Sequence, residues 1–179
     1  MKAYKILAIT TVAATLAACG AMPSTKTATT ATPAPSASKA SAAAVTSVPA
    51  GVDAVVNAFV VRTVDGQETL EPVTAATAIK AGDVVEYQGL FTNKGADRIR
   101  NMTVTLSLPE GAVFTGQADP ALGALASVDG ARFLHMPIRA NVNGVVQNLP
   151  FEQYKALRWT IEEIGLGGTA VVKYRATIR

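Results

Sequence analysis

Apolar and polar residues alternate with a period of two over several stretches of this chain. In 101–108 the even positions carry Met, Val, Leu and Leu, whereas the odd positions carry Asn, Thr, Thr and Ser. Thr169 to Ile178 repeats the pattern, again with an apolar residue at every even position. Such alternation is typical of a β-strand with one buried face. Similar apolar runs predict further strands at 52–64, 84–92 and 156–164.

Turn-forming residues separate these stretches. Asp65-Gly66, Asp129-Gly130 and Asn143-Gly144 are dipeptides that accept positive φ in tight hairpins. The only helical candidate is one turn near 151–154. The spacing predicts an all-β fold, an Ig-like antiparallel sandwich of about seven to nine strands in two sheets.

Residues 20–50 have a different composition. Alanine, threonine, serine and proline make up 25 of these 31 residues, and no aromatic residue is present. Because no apolar periodicity is present, nothing offsets the entropy lost on ordering the segment. We therefore predict a disordered tether, with a span of roughly 30 Å as a flexible coil, ahead of a folded domain at 51–179.

The first nineteen residues have the organisation of a secretory signal. Lys2 and Lys5 make the start positive, and the 13 uncharged residues that follow are too few to span a bilayer, which takes about 20. This stretch ends in Leu16-Ala17-Ala18-Cys19, which resembles the lipobox of bacterial lipoproteins at every position. The resemblance implies that 1–18 is a signal peptide and that Cys19 receives a diacylglyceryl thioether. The alternative is an ordinary secretory signal that ends beside an accidental cysteine.

The lipobox resemblance also implies a location. Several acyl chains on one cysteine hold a protein stably, whereas a single chain anchors only marginally. Gly20 follows the cysteine, at the position where aspartate is the usual signal for inner-membrane retention. We therefore expect a lipid-anchored protein at the outer membrane of a Gram-negative bacterium.

The charge of the folded region argues against nucleic-acid binding, and its cysteine content excludes cysteine-based chemistry. From Gly51 onward the chain has 12 Lys and Arg against 13 Asp and Glu, a net charge of −1. A nucleic-acid partner requires a basic excess, so none is predicted. Cys19 is the only cysteine, so the folded region has no disulfide, no thiolate nucleophile and no cysteine ligand for a metal.

The motifs of the folded region resemble the conserved-repeat Ig-like domain of prokaryotic surface proteins. The resemblance is carried by Gly82-Asp83 with Val85 and Tyr87, by Thr92-Asn93-Lys94-Gly95, and by Leu108-Pro109-Glu110-Gly111 with Phe114. It covers most of 79–178 and implies a fold and a surface location, but no activity. The chain departs from the family at Ser107, where an aspartate is usual shortly before the Leu-Pro pair. It also has a longer middle, 117–147.

Few residues are candidates for chemistry. His135 is the only histidine and lies in a predicted strand, where we expect it to have no catalytic role. No metal or cofactor is predicted, since Asp119, Asp129, Glu162 and Glu163 lack the spacing of a calcium loop. The glycines 165, 167 and 168 follow the wrong elements to cradle phosphate.

The aromatic residues are predicted to lie in the core. Trp159 lies between Leu157 and Ile161 on one face of an alternating strand, so a core position is favoured over a sugar-stacking platform. The same is predicted for Tyr87, Tyr154 and Tyr174. Arg98 and Arg100, beside a strand start, are predicted to form a solvated edge.

Three functions remain open from the sequence. The favoured one is a non-enzymatic Ig-like module on a lipid anchor, which binds an envelope protein when an exposed sheet edge accepts a partner's strand. The second is a carbohydrate- or cell-wall-binding sandwich, which requires an exposed aromatic such as Trp159 or Phe151. The third is an enzyme, which requires a pocket with convergent titratable groups.

Overall fold

A computed structural model describes residues 43–46 and 48–179. The predicted signal peptide, Cys19 and residues 20–42 of the predicted tether lie outside the described residues. No helix within the described part is long and apolar enough to cross a membrane.

The described residues form an almost entirely β structure, as predicted. The strands are β1 (Val45–Thr46), β2 (Val52–Val64), β3 (Gln67–Pro72), β4 (Val84–Asn93), β5 (Ile99–Ser107), β6 (Ala112–Asp119), β7 (Leu125–Ser127), β8 (Leu134–His135), β9 (Arg139–Val142), β10 (Val145–Asn148), β11 (Ala156–Ile164) and β12 (Thr169–Ile178). One 3-10 turn, Phe151–Gln153, precedes β11.

The strands pair antiparallel in two five-stranded sheets and one hairpin. The first sheet has the order β1-β5-β11-β7-β8 and the second the order β3-β2-β4-β12-β6. β9 and β10 pair only with each other within the described part. The sandwich class is confirmed, but the structure has more strands than the seven to nine predicted, because β1 and β7–β10 are too short to show a readable alternation.

The long strands agree closely with the prediction. β2, β11 and β12 have the predicted bounds, and β4 is one residue longer. β5 begins at Ile99 rather than Asn101, since Ile99 and Arg100 pair with Ile164 and Glu163 of β11. The predicted helical turn is the 3-10 turn.

The predicted tether includes one strand of the structure. Val45 and Thr46 of β1 pair with Leu106 and Thr105 of β5. Ser107 secures the start of this strand. Its backbone N donates to the Ala44 carbonyl (3.1 Å), while its Oγ accepts from the Ala44 N (3.0 Å) and donates to the Ala44 carbonyl (3.3 Å). β-structure thus begins six residues before Gly51, the predicted start of the domain.

The core between the sheets contains the aromatic residues that the sequence placed there. Trp159, Tyr87, Tyr154 and Tyr174 are all buried. The Trp159 indole donates to the Pro120 carbonyl (2.9 Å), so its polar atom is satisfied inside the protein.

Two of the three predicted turns are tight hairpins with positive φ at both turn residues. Asp65-Gly66 joins β2 to β3, and Asn143-Gly144 joins β9 to β10. Asp129-Gly130 lies in a longer connection between β7 and β8, where only the glycine has positive φ. Three hydrogen bonds, from the backbone amides of residues 131 and 132 and from the Ser127 hydroxyl, lower the pKa of Asp129 to about 2.

Candidate interaction edge

His135 and the acidic residues considered in the sequence form no metal site. His135 is exposed on β8, the short edge strand of the first sheet. No group of His, Cys, Asp and Glu within 43–46 and 48–179 could hold a metal ion. Arg98 and Arg100 both pair with Glu163 (2.9 and 3.1 Å) and are largely exposed, which agrees with the predicted solvated edge.

The aromatic residues offer no exposed platform for a sugar. Trp159 is 2% exposed, and Phe151 is half-buried against the rings of Phe114 and Tyr154. The half-buried Phe133 ring is covered by the Arg158 guanidinium, 3.5 Å from the ring centroid. Every other aromatic residue that the structure describes is also at least half-buried. The exposed aromatic that a glycan-binding surface requires is therefore absent from the described residues.

A polar cavity lies on the outer face of the second sheet. Its volume is about 220 Å³, and Glu86, Asp119, Lys173 and Arg175 are among its lining residues. Lys173 pairs with Asp119 (3.1 Å), and Arg175 binds Glu86 and Glu68 (2.9 Å each). These bonds, the one to Glu86 first, raise the pKa of Arg175. The charged lining residues are thus all engaged in ion pairs.

Most of the sheet edges are poorly suited to accept another strand. β1 and β8 have only two residues each. β3 is fully exposed, but it carries Glu68 and Glu71 and ends at Pro72, features that disfavour edge pairing. β6 has an irregular register opposite Tyr174 and Ala176 of β12, and such bulges also disfavour edge pairing.

The first half of β2 lacks a partner on its outer side. Other strands are also open on one side over part of their length within the described residues, such as 99–104 of β5 and 159–164 of β11. Those stretches carry Arg100 and the Glu162-Glu163 pair, whereas the open part of β2 has a single charge. β4 pairs with β2 from Val52 to Val61, whereas β3 pairs only with 59–64. Val52 and Ala58 mark the two ends of the open stretch. The Val52 N donates to the Pro49 carbonyl (3.2 Å), and the Ala58 carbonyl accepts from the Val73 N (2.8 Å). Residues 53–57 therefore have no neighbouring strand on this side within the described residues.

The backbone groups that β2 presents at this edge follow from the neighbouring bonds. The Gly51 carbonyl accepts from Lys94, beside β4, whereas the Ala58 carbonyl accepts from Val73, beside β3. Successive residues in a strand direct their backbone groups to opposite sides. Ala54 and Val56 therefore direct their amide and carbonyl groups outward, where a partner strand would bind them.

The side chains along the open stretch differ between the two faces of the sheet. Asp53, Val55 and Asn57 lie on the outer face and are exposed, with Val55 at 46%. Ala54 and Val56 lie on the inner face and are only half-buried, although they contact the core. We call residues 53–57 with these groups the β2 edge.

The inner face is incompletely covered because the first sheet ends in β1, a strand of two residues. A cavity of about 380 Å³ lies beside the β2 edge and is lined by residues including Val56, Ala58, Val73 and Tyr87. A further cavity of about 400 Å³ lies beside β5, lined by 48–49 and 99–103. The sandwich is thus least complete on the side where β1 leads into β2.

Sequence reasoning proposed strand addition but did not locate the edge. The signal was present: a hairpin turn at Asp65-Gly66 and a proline at position 72 limit β3 to about the last six residues of β2. A strand of 13 residues paired with one of six leaves its other half open.

No family model, curated protein or solved structure matches this chain. The resemblances to the lipobox and to the Ig-like surface repeats therefore stay predictions from the sequence. The β2 edge depends on neither of them, because it follows from strand pairing alone.

Proposed function

We propose that this chain is a lipid-anchored protein of the bacterial outer membrane whose sandwich acts without catalysis, by accepting a strand of a partner protein at the β2 edge. The observation that carries the interaction is the stretch 53–57 of β2, which pairs with β4 on one side and has no strand on the other side within the described residues. An open edge binds through backbone amides and carbonyls, so it requires no specialised side chains. The observation that supports the anchor is the sequence Leu16-Ala17-Ala18-Cys19.

The β2 edge also lacks the features with which proteins usually protect an edge. It has no proline, no lysine and no bulge, and its single charge is Asp53. β3 has two glutamates and a terminal proline over a similar length. Because the same sheet protects one part of its border and leaves another part open, we interpret the open part as the interaction site.

The lipid anchor is tested by metabolic labelling with a clickable fatty acid in a Gram-negative host. Wild type is expected to carry the label, to lose residues 1–18 and to fractionate with the outer membrane. The variant Cys19→Ser is the matched control and is expected to remain unlabelled. An unlabelled wild type, with its mature form free in the periplasm, would refute the anchor.

The binding edge is tested by a photoreactive amino acid placed in the full-length chain in intact cells. At Val55, on the open edge, it is expected to give covalent adducts with a protein. At Val171, on the same outer face but in β12, which β4 separates from β2, it is expected to give none, although the two valines have similar exposure (46% and 41%). Equal adduct formation at both positions would contradict the β2 edge as the specific binding site.

A further inference from the structure

We propose that the partner strand at the β2 edge is the β2 edge of a second copy of this chain, paired antiparallel about a two-fold axis at Val55. This inference rests on strand addition as the proposed function and names the partner. It does not depend on the lipid anchor.

The limits of the open stretch determine the centre of the pair. Val52 and Ala58 each have a backbone group already bound within the same copy, so the open residues are 53–57. Two antiparallel copies that use this whole stretch must superpose its midpoint on itself. The midpoint is Val55, so each residue pairs with the residue equally far on the other side of Val55 in the second copy.

The backbone groups match in this register. Ala54 lies opposite Val56 of the second copy, and Val56 lies opposite Ala54. These two residues direct their amides and carbonyls outward, so each pair exchanges both hydrogen bonds of an antiparallel ladder. Val55 lies opposite itself in a pair without hydrogen bonds, in which the two Cα atoms approach to about 4.5 Å.

The side chains also match. On the outer face Asp53 lies opposite Asn57 of the second copy, whose amide can donate to the carboxylate. The exposed Val55 contacts Val55 of the second copy. On the inner face the small Ala54 lies opposite the larger Val56. A register shifted toward the start of the strand brings Asp53 opposite Val55 or opposite a second Asp53, where like charges repel.

The pair explains the incomplete side of the sandwich. Joining two β2 edges gives one continuous ten-stranded sheet, since each copy contributes the five strands of its second sheet. The half-buried Ala54 and Val56 then lie beside the same residues of the second copy. The interface is closed by its two-fold symmetry, so the edge does not propagate into a filament.

The test uses disulfide formation between copies of the full-length chain in the Cys19→Ser background, purified in detergent and mildly oxidised. The variant Val55→Cys is expected to give a disulfide-linked dimer, because the expected Cα separation lies within the range that a disulfide spans. Val171→Cys is the matched control. We expect at least about tenfold more dimer from Val55→Cys, since only a specific pairing holds two thiols at this distance.

The register is tested by mixing two differently tagged variants, Asp53→Cys and Asn57→Cys. The mixture is expected to give the disulfide-linked heterodimer, whereas each variant alone is expected to form no disulfide between copies. A mixture that forms no disulfide while Val55→Cys does would overturn the proposed register. Dimerisation of Val55→Cys no better than that of Val171→Cys would overturn self-pairing altogether.

Failure of self-pairing is distinguishable from failure of the proposed function. If Val55→Cys does not dimerise but the photoreactive residue at Val55 captures another protein in cells, strand addition stands and the second copy is excluded. If neither occurs, both proposals fail. Circular dichroism of each variant confirms that the sandwich is folded, which is expected because positions 53, 55 and 57 are exposed.

Discussion

At the scale of single residues, Asn93 connects two loops at one end of the sandwich. Its side chain is fully buried. The Nδ2 donates to the carbonyls of Asp97 (2.7 Å), Ile164 and Gly165 (3.2 Å each), and the Oδ1 accepts from the Gly95 N (2.9 Å). The sequence motif Thr92-Asn93-Lys94-Gly95 thus has a structural role, because one amide satisfies backbone groups of both the β4–β5 and the β11–β12 connections.

We expect Asn93→Ala to lower the free energy of unfolding by about 2–4 kcal/mol, because one buried and three part-buried backbone groups lose their side-chain partner. Urea unfolding followed by circular dichroism measures the loss. Asn148→Ala, at an exposed position in β10, is the control and should change stability by less than about 0.5 kcal/mol. Equal stability of the two variants would contradict the role of Asn93.

The stacked rings of Tyr87 and Tyr174 make the free energy of unfolding depend on pH in the alkaline range. Burial raises the pKa of both phenols above the ordinary value, and the neighbouring Tyr87 raises that of Tyr174 further. The folded state therefore favours the neutral phenols. Their contribution to stability is complete below the unfolded-state pKa of about 10 and is lost as the pH rises beyond it.

Unfolding in urea is therefore expected to require less denaturant at about pH 11 than at about pH 9, with little change between pH 7 and 9. The variant Tyr174→Phe removes one of the two phenols and should weaken this dependence. At pH 7 it should cost about 0.5–1.5 kcal/mol, because the Ser107 carbonyl loses its donor at 2.8 Å. An unchanged alkaline dependence in this variant would argue against Tyr174 as its source.

At the scale of elements, β1 is a short strand that depends on one side chain. The Ser107 hydroxyl accepts from and donates to Ala44, beside the only two residue pairs that join β1 to β5. We expect Ser107→Ala to speed amide hydrogen exchange in residues 44–46 while leaving exchange in β4 and β12 unchanged. Thr103→Ala, at an exposed position of β5, the strand that also contains Ser107, is the control. Similar acceleration in both variants would mean that Ser107 does not secure β1.

The long strands were predictable because each has one buried face and a length that shows the alternation. β12, for example, has an apolar residue at every even position over ten residues, and the structure buries three of them. The short strands were not predictable in the same way. Val45 and Thr46 carry no pattern of their own, and their pairing depends on Ser107, which is 61 positions away in the chain.

At the scale of the whole molecule, the core could be predicted from the sequence, whereas the β2 edge could be predicted only in part. Trp159 shares one face of an alternating strand with Leu157 and Ile161, so its burial follows from the local pattern. An open edge instead depends on which strand is absent. This is a property of the sheet order, and it can be inferred from Pro72 only once β2 and β3 are known to form a hairpin.

Self-association also predicts how stability responds to concentration. If the copies pair, the melting temperature of wild type rises with protein concentration, because association favours the folded state. Over about a hundredfold range of concentration, wild type should show this rise and Val55→Lys should not. Val171→Lys should behave as wild type. A melting temperature independent of concentration in wild type would oppose the pairing.

The weak attachment of β1 has a consequence for the distance between the sandwich and a membrane. Two residue pairs and the bonds of Ser107 join this strand to β5, whereas β2 is paired with β4 over ten residues. Detachment of β1 would free residues 44–50 while the two sheets stay intact. On a chain anchored at Cys19, these residues would add up to about 20 Å to the linker, so the domain could lie farther from the membrane without unfolding.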